Sequence, residues 1–335
     1  MRFAMIGAGR IAGAHARSFA TNPEATLAWV ADPVPELAVR IADASGAKAT
    51  RDPQEAIEAK DVDAVLICSP TPTHVDTIIA AVRAGKPVLC EKPIDLSMAR
   101  VTEFLEVIEG HDARVMMGFN RRFDPSFADV HERVAAGQIG DVEQVIVISR
   151  DPAPQSAEYL AASGGIFRDM TIHDFDMVRF FLPDIVEVSA LGQNVFDQAA
   201  REAGDFDGAL VTLRAAGGAA ATIVNSRRCV VGYDQRLEVF GSRGMLSADN
   251  PLPTAVRSYG DGFGGRTDPY FNFFLERYAD AYARELAAFI AAAASGEPFS
   301  PGLEDGRAAL ALADAADVSA RKGAPVKIGA DGGAS

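Results

Sequence analysis

The chain is poor in several residue types. Its 335 residues include three cysteines, one tryptophan, five histidines and six lysines. Cys68, Cys90 and Cys229 are odd in number, far apart and form no Cys-x-x-Cys, which argues against a disulfide framework and against a cysteine-built zinc site. A reducing, cytoplasmic compartment is the reading they support, and no metal is expected. No apolar stretch reaches the roughly 18–20 residues of a membrane span. The N-terminal run Met1-Arg2-Phe3-Ala4-Met5-Ile6 is too short for the apolar region of a secretion signal. Basic residues are also scarce, with Lys+Arg 32 against Asp+Glu 46 and a net charge of −14. That balance argues against nucleic acid or an anionic membrane as partner. It leaves room for a phosphate-bearing cofactor, which the backbone N–H groups of a helix N-terminus can hold.

A hydrophobic fraction of 48% supports a large core, and the length suggests two domains. Up to about residue 120 the pattern alternates. Strands are expected at 2–6, 26–31, 63–68, 87–90 and 114–118, and helices at 11–20, 36–44, 73–84 and 97–109. This rhythm predicts a doubly wound parallel sheet with right-handed crossovers. Beyond it, strands at 141–149, 186–193, 208–213, 219–226, 235–240 and 245–248 have few helices between them, which predicts a mostly antiparallel sheet. Two late helices are expected at 274–293 and 303–320, and the tail from Gly329 is expected to fray. The expected domains are 1–120 and 121–335, with the final helices free to pack back on the first.

Three segments carry chemistry. Gly7-Ala8-Gly9-Arg10-Ile11-Ala12 fits G-x-G-x-x-[GA] between a strand and a helix, where the glycines allow a tight turn and close approach to a pyrophosphate. Asp32 ends the second strand, placed to accept the hydroxyls of an adenosine ribose. A carboxylate there, followed by Pro33 rather than a basic residue, favours NAD over NADP. Glu91-Lys92-Pro93 follows a strand at the carboxyl edge of the sheet, where ligands bind. In a chain that otherwise uses arginine, Lys92 is either a donor to a substrate oxygen or part of a surface Glu-Lys pair. In Gly164-Gly165-Ile166-Phe167-Arg168-Asp169-Met170-Thr171-Ile172-His173, a helix over 167–180 puts Asp169 and His173 at i and i+4 on one face. Such a pair is a general base with its orienting carboxylate, or a structural pair. Gly164 and Gly165 supply freedom for close approach to a ligand, and Asp174 and Asp176 are read as structural.

These segments, with Ser69-Pro70-Thr71-Pro72-Thr73-His74, Gly118-Phe119-Asn120-Arg121-Arg122-Phe123-Asp124, Asn225-Ser226-Arg227-Arg228 and Gly232-Tyr233-Asp234-Gln235-Arg236, resemble the glucose–fructose oxidoreductase/inositol dehydrogenase (Gfo/Idh/MocA) family. The form is nearest to the inositol 2-dehydrogenases. The resemblance implies an N-terminal Rossmann domain and an α+β C-terminal domain with a large open sheet through which the family forms tetramers. It implies Lys92, Asp169 and His173 as the catalytic set and Arg122 and Tyr233 as polyol contacts. Gly7, Gly9, Arg10, Ile11, Asp32, Ser69, Thr71, His74 and Glu91 are then the NAD-binding residues. The implied activity is NAD-dependent oxidation of myo-inositol to 2-keto-myo-inositol (scyllo-inosose), with scyllo-inositol or a pyranose as the alternative substrate. A non-catalytic nucleotide-sensing protein is the reading of a different class.

Overall fold

A computed structural model describes residues 1–329, so the tail beyond Gly329 lies outside the described residues. The chain forms two compact units. The first comprises Met1–Phe123 and Ala279–Leu310, and the second comprises Asp124–Tyr278 and residues from 311 onward.

In the first unit, β1 (Arg2–Ile6), β2 (Thr26–Ala31), β3 (Lys48–Thr50), β4 (Ala64–Ile67), β5 (Val88–Glu91) and β6 (Val115–Gly118) form one sheet in the order β3-β2-β1-β4-β5-β6. Every pair is parallel. Helices cover both faces, so β4, β5 and β6 are buried along their whole length and read as continuous apolar runs. The order reverses between β1 and β4, creating the switch point at which doubly wound sheets bind ligands. The connecting helices are Arg10–Thr21, Pro35–Ser45, Pro53–Glu58, His74–Arg83 and Met98–Ile108. Their punctuation is local: Gly46 ends one in the left-handed region, and the Ser97 side chain caps another through the Arg100 N–H. Two small elements, β3 and Pro53–Glu58, went unpredicted because β3 is three largely exposed residues without alternation. The unit's core is completed from far along the chain. Leu286, Phe289 and Ile290 of helix Ala279–Ser295 join Phe3, Phe19 and Leu27, with the Phe3 and Phe289 rings 5.6 Å apart.

In the second unit, β7 (Val142–Arg150), β8 (Ile185–Gln193), β9 (Gly208–Ala215), β10 (Ala220–Ser226), β11 (Asp234–Gly241) and β12 (Gly244–Ala248) belong to a larger sheet; β13 (Arg257–Gly260) and β14 (Phe263–Thr267) form a separate hairpin. With β15 (Val326–Lys327), the large sheet runs β12-β11-β7-β10-β9-β8-β15. It is mostly antiparallel as expected, but its central pair, β7 with β10, is parallel. One face is core, with Val145, Val147, Val211, Leu213, Ile223, Leu237 and Val239 buried. The other face carries an apolar row. Leu191 pairs with Leu210, Leu210 with Val224, and Val224 with Ile148, and Leu191 is 59% exposed.

Beyond Phe123 the helices depart from expectation in several places, and the short helices Ala157–Ala162 and Gln198–Glu202 were not expected at all. Pro125–Ala135 is present, with Asp124 accepting from the Ser126 and Phe127 N–H groups. The helix expected at 274–293 is two, Phe274–Arg277 and Ala279–Ser295, separated at Tyr278. Tyr278 is buried and donates its hydroxyl to Gln235 Oε1, a contact that holds it out of a regular helix. The helix expected at 167–180 opens with a π-helical turn, Phe167–Thr171, before α-helix Ile172–Phe181.

Candidate active site

The Gly-rich turn sits at the switch point of the first unit. Gly7 has φ +90°, and a Cβ there would lie 2.4 Å from the Ser69 nitrogen, so the backbone after β4 occupies the side-chain position. Glycine is required here twice over, by dihedral and by space. Gly9 is the residue before helix Arg10–Thr21, and a Cβ there would meet nothing within 4 Å. Among the described residues no side chain caps this helix, and its first turn holds no acidic residue. Its leading N–H groups and dipole therefore suit an anion, with open space above Gly9 to admit one. Asp32, 8% exposed, accepts from the Ala8 N–H and the Val34 N–H, both at 2.8 Å. Each carboxylate oxygen keeps a lone pair for a ribose hydroxyl. Exposed Arg10 and half-buried Ile11 begin the helix. Beside the turn, Ser69 Oγ lies 2.6 Å from Thr73 Oγ1, and Thr71 opens a 3-10 turn. These residues fit a dinucleotide.

At the end of β5, Glu91 is buried and its Oε1 lies 2.7 Å from His15 Nε2, on the helix that follows the Gly-rich turn. Lys92 comes next and is half-buried. His74 is 1% exposed, with Nδ1 2.7 Å from the Pro93 carbonyl and Nε2 2.8 Å from the Ser69 carbonyl. Burial lowers its pKa, while the two carbonyls oppose that shift. A neutral ring donates through one nitrogen only, so one carbonyl is served at a time. Both nitrogens face protein oxygens, which makes His74 a strut between two loops. Arg122 lies in the turn Asn120–Phe123 and donates to Asp305 Oδ1 at 2.9 Å.

Asp169 and His173 belong to the second unit. Asp169 Oδ1 accepts from the Tyr159 hydroxyl at 2.7 Å, and its Oδ2 lies 3.4 Å from Arg227 Nη1. Arg227 is fully buried and also donates to Asp205 Oδ2 at 3.0 Å. Desolvation of the hydroxyl end, on a ring that is 42% exposed overall, and the adjoining Asp169 charge raise the pKa of the Tyr159 phenol, so it remains a donor. Asp205 in turn accepts from the Ile166 N–H at 2.8 Å. A Cβ on Gly165, at φ +86°, would lie 3.0 Å from Asp205 Oδ1. Gly165 thus permits the close approach of Asp205. Because the turn carrying Asp169 is π-helical, Asp169 and His173 do not keep the regular α spacing expected of them. They lie on successive windings of one helical segment, and His173 is half-buried. Asp174 is fully buried, accepting from Ser149 Oγ at 2.5 Å and Asn225 Nδ2 at 2.7 Å, while Thr171 Oγ1 donates to Asn225 Oδ1 at 2.6 Å. This network fastens the His173 helix to β7 and β10. Tyr233 is buried edge-on to Tyr278 and Phe273. Tyr159, Asp205 and His15 were not singled out from sequence, since each acts through a partner distant in the chain. Among the described residues no cluster of His, Cys, Asp or Glu is arranged to hold a metal, and no helix is long and apolar enough to cross a membrane.

A parallel sheet of this order, with an uncapped glycine-led helix at its switch point and a carboxylate at the end of β2, defines a Rossmann dinucleotide-binding enzyme. Residues 1–119 match the oxidoreductase family with an NAD-binding Rossmann fold, and residues 127–247 match the GFO/IDH/MocA C-terminal domain. The chain belongs to the GFO/IDH/MocA family of NAD-dependent oxidoreductases. It is 49% identical to an inositol 2-dehydrogenase of Rhizobium meliloti, covering 94% of this chain and 96% of that one. The crystal structure of a myo-inositol dehydrogenase from Corynebacterium glutamicum superposes with a TM-score of 0.96 at 53% identity, covering 98% of this chain and 99% of that one. A scyllo-inositol dehydrogenase of Lactobacillus casei, solved with NAD(H) and scyllo-inositol, has a TM-score of 0.88 at 30% identity, covering 98% of both chains.

Proposed function

We propose that this chain oxidises a secondary hydroxyl of a cyclic polyol to a ketone, with myo-inositol as substrate and 2-keto-myo-inositol as product. The observation that carries the reading is the clamped Asp169, which accepts from Tyr159 and lies beside buried Arg227 on the segment that bears His173. A carboxylate fixed in this way orients a neighbouring imidazole and stabilises it once protonated. Bound NAD supplies a hydride acceptor. His173 removes the hydroxyl proton, Lys92 donates to the reacting oxygen and stabilises developing alkoxide charge, and Asp169 orients His173. Arg122 and Tyr233 bind the remaining hydroxyls. The pyrophosphate rests on the helix start at Gly9, Arg10 and Ile11, with Gly7, Ser69, Thr71 and Asp32 around the dinucleotide. His74 and Glu91 support that site from behind.

A screen of cyclic polyols and pyranoses with NAD and NADP, followed by NADH absorbance, tests this reading. Myo-inositol with NAD is expected to give the highest kcat/KM. Preference for scyllo-inositol, the substrate named for the Lactobacillus casei relative, would move the assignment within the family. Cofactor binding without turnover of any polyol would overturn it in favour of a nucleotide sensor. Lys92→Ala and His173→Ala are each expected to lower kcat by about 10²–10⁴-fold while NADH still binds. Near-normal turnover in both would remove these residues from the chemistry. The same reading makes the protein a cytoplasmic homotetramer, supported by three unpaired cysteines and by the apolar outer face of the second unit's sheet.

A further inference from the structure

We infer that His15 and His74 are positioning residues for Lys92, each holding one of its two chain neighbours. The inference rests on the reading in which Lys92 donates to the reacting oxygen. Lysine places a point charge at the end of a flexible four-carbon stem, so its aim depends on how firmly its own backbone is held. Regular sheet pairing ends at Glu91, which is opposite Gly118 on β6. From there, two buried histidines take over. His15 binds the Glu91 side chain on the N-terminal side of Lys92, and His74 lies against the Pro93 carbonyl on the C-terminal side. Both rings are 1% exposed.

Each histidine is itself fixed. His15 stands on helix Arg10–Thr21, and its ring meets Tyr282 edge-on at 5.1 Å. Gly118 leaves the room that the Glu91 carboxylate occupies, since a Cβ there would come within 3.2 Å of Oε2. Beyond this pair, Glu285 is fully buried, and its two oxygens have no hydrogen-bond partner among the described residues. Burial and the Glu91 charge push its pKa well above that of an ordinary carboxyl. His74 also touches the Ser69 carbonyl, in the loop against which Gly7 packs. The Gly-rich turn and Lys92 are thereby tied together by two separate routes, one through the helix and His15 and one through Ser69 and His74. Misplacement of a catalytic group by about 1 Å costs on the order of 10²-fold in rate.

The test compares apolar replacements with ones that keep a donor in place. His15→Leu and His74→Leu are expected to lower kcat by about 10–100-fold, a larger factor than any change in NADH dissociation constant. His15→Gln, with an amide N–H near the Nε2 position, and His74→Asn, with one near Nδ1, are expected to restore most of the rate. In a Lys92→Ala background the two leucine substitutions should cost nothing further, because residues acting through one group are not additive. A full additional loss in that background would overturn the inference. A second readout does not depend on turnover: acylation of Lys92 by acetic anhydride, measured by peptide mass spectrometry against Lys60 and Lys86. The leucine variants should change the Lys92 rate alone, and an unchanged rate overturns the inference. If Lys92→Ala turns over normally, the catalytic reading of Lys92 falls, while the acylation rates still judge the clamp. Should the leucine variants not fold, methionine, which fills irregular gaps, replaces leucine. Failure of all four apolar variants to fold would assign the histidines to stability instead.

Discussion

A carboxyl that is fully buried and has no hydrogen-bond partner among the described residues, as at Glu285, gives the chain a pH dependence that can be read from one residue. In the unfolded chain it ionises near its ordinary value of 4.5, while in the fold burial holds it protonated to a well higher pH. The native state therefore binds more protons over that interval, and its stability falls as pH rises from the ordinary value toward the raised one. Glu285→Gln removes this slope. The melting temperature of the variant relative to the native protein should improve between pH 5 and pH 8, by about 2–4 °C for each kcal/mol regained. A difference in Tm that is the same at both pH values would show that Glu285 ionises normally in the fold. The residue was visible in the sequence to a limited extent. Glu285 falls on the stripe Ala281, Tyr282, Leu286, Phe289 and Ile290, all buried, so the helical period marks it as a polar group on an apolar face. His15 likewise falls on the buried stripe of its helix with Ala12, Ser18 and Phe19, but its partner Glu91 is 76 residues away, so the contact itself was not legible.

At the scale of elements, the Gly-rich turn was legible because its constraints are local and recur wherever a strand enters a helix under a pyrophosphate. The structure adds a third participant, the backbone after β4. Gly7→Ala must overcome both a positive φ and a contact with backbone atoms that cannot swing aside. It should destabilise the protein by about 1–3 kcal/mol and weaken NADH binding. Thermal melting and NADH fluorescence titration together check this, and native values in both would contradict the assigned packing. The π-helical turn before His173 was not legible, for a definite reason. Its residues are ordinary helix formers. The turn is anchored by Asp205 on the Ile166 N–H and by Asn225 on Thr171, contacts that exist only once the sheet has formed. Similarly, the parallel β7–β10 pair lies within a run of strands that otherwise pair antiparallel, and strand composition alone does not reveal pairing direction.

Across the whole molecule, the acidic surplus and the outer face of the large sheet make opposing demands. Net charge of −14 favours separation of copies, whereas the row Ile148, Val224, Leu210 and Leu191 favours burial. If the proposed tetramer assembles through that row, Leu210→Asp should lower the mass seen by light scattering from that of four chains to that of two or one. The thermal transition should remain cooperative. A tetramer that persists would place the contact on another surface. In the second half the strands β7–β12 were legible from their alternation, whereas β13, β14, β15 and the helices Ala157–Ala162 and Gln198–Glu202 were not, because each is too short to show a period.

The first unit is not a continuous stretch of chain. Leu286, Phe289 and Ile290 lie in its core, yet they follow every strand of the large sheet except β15. During synthesis on the ribosome, the N-terminal sheet emerges long before the helix that completes its apolar interior. It must wait, with Phe3 and Phe19 incompletely covered, while the second unit's strands are translated. A fragment ending after Phe123 repeats that interrupted state permanently. It would expose the face that Phe289 covers and would be expected to associate or be degraded rather than behave as a free nucleotide-binding module.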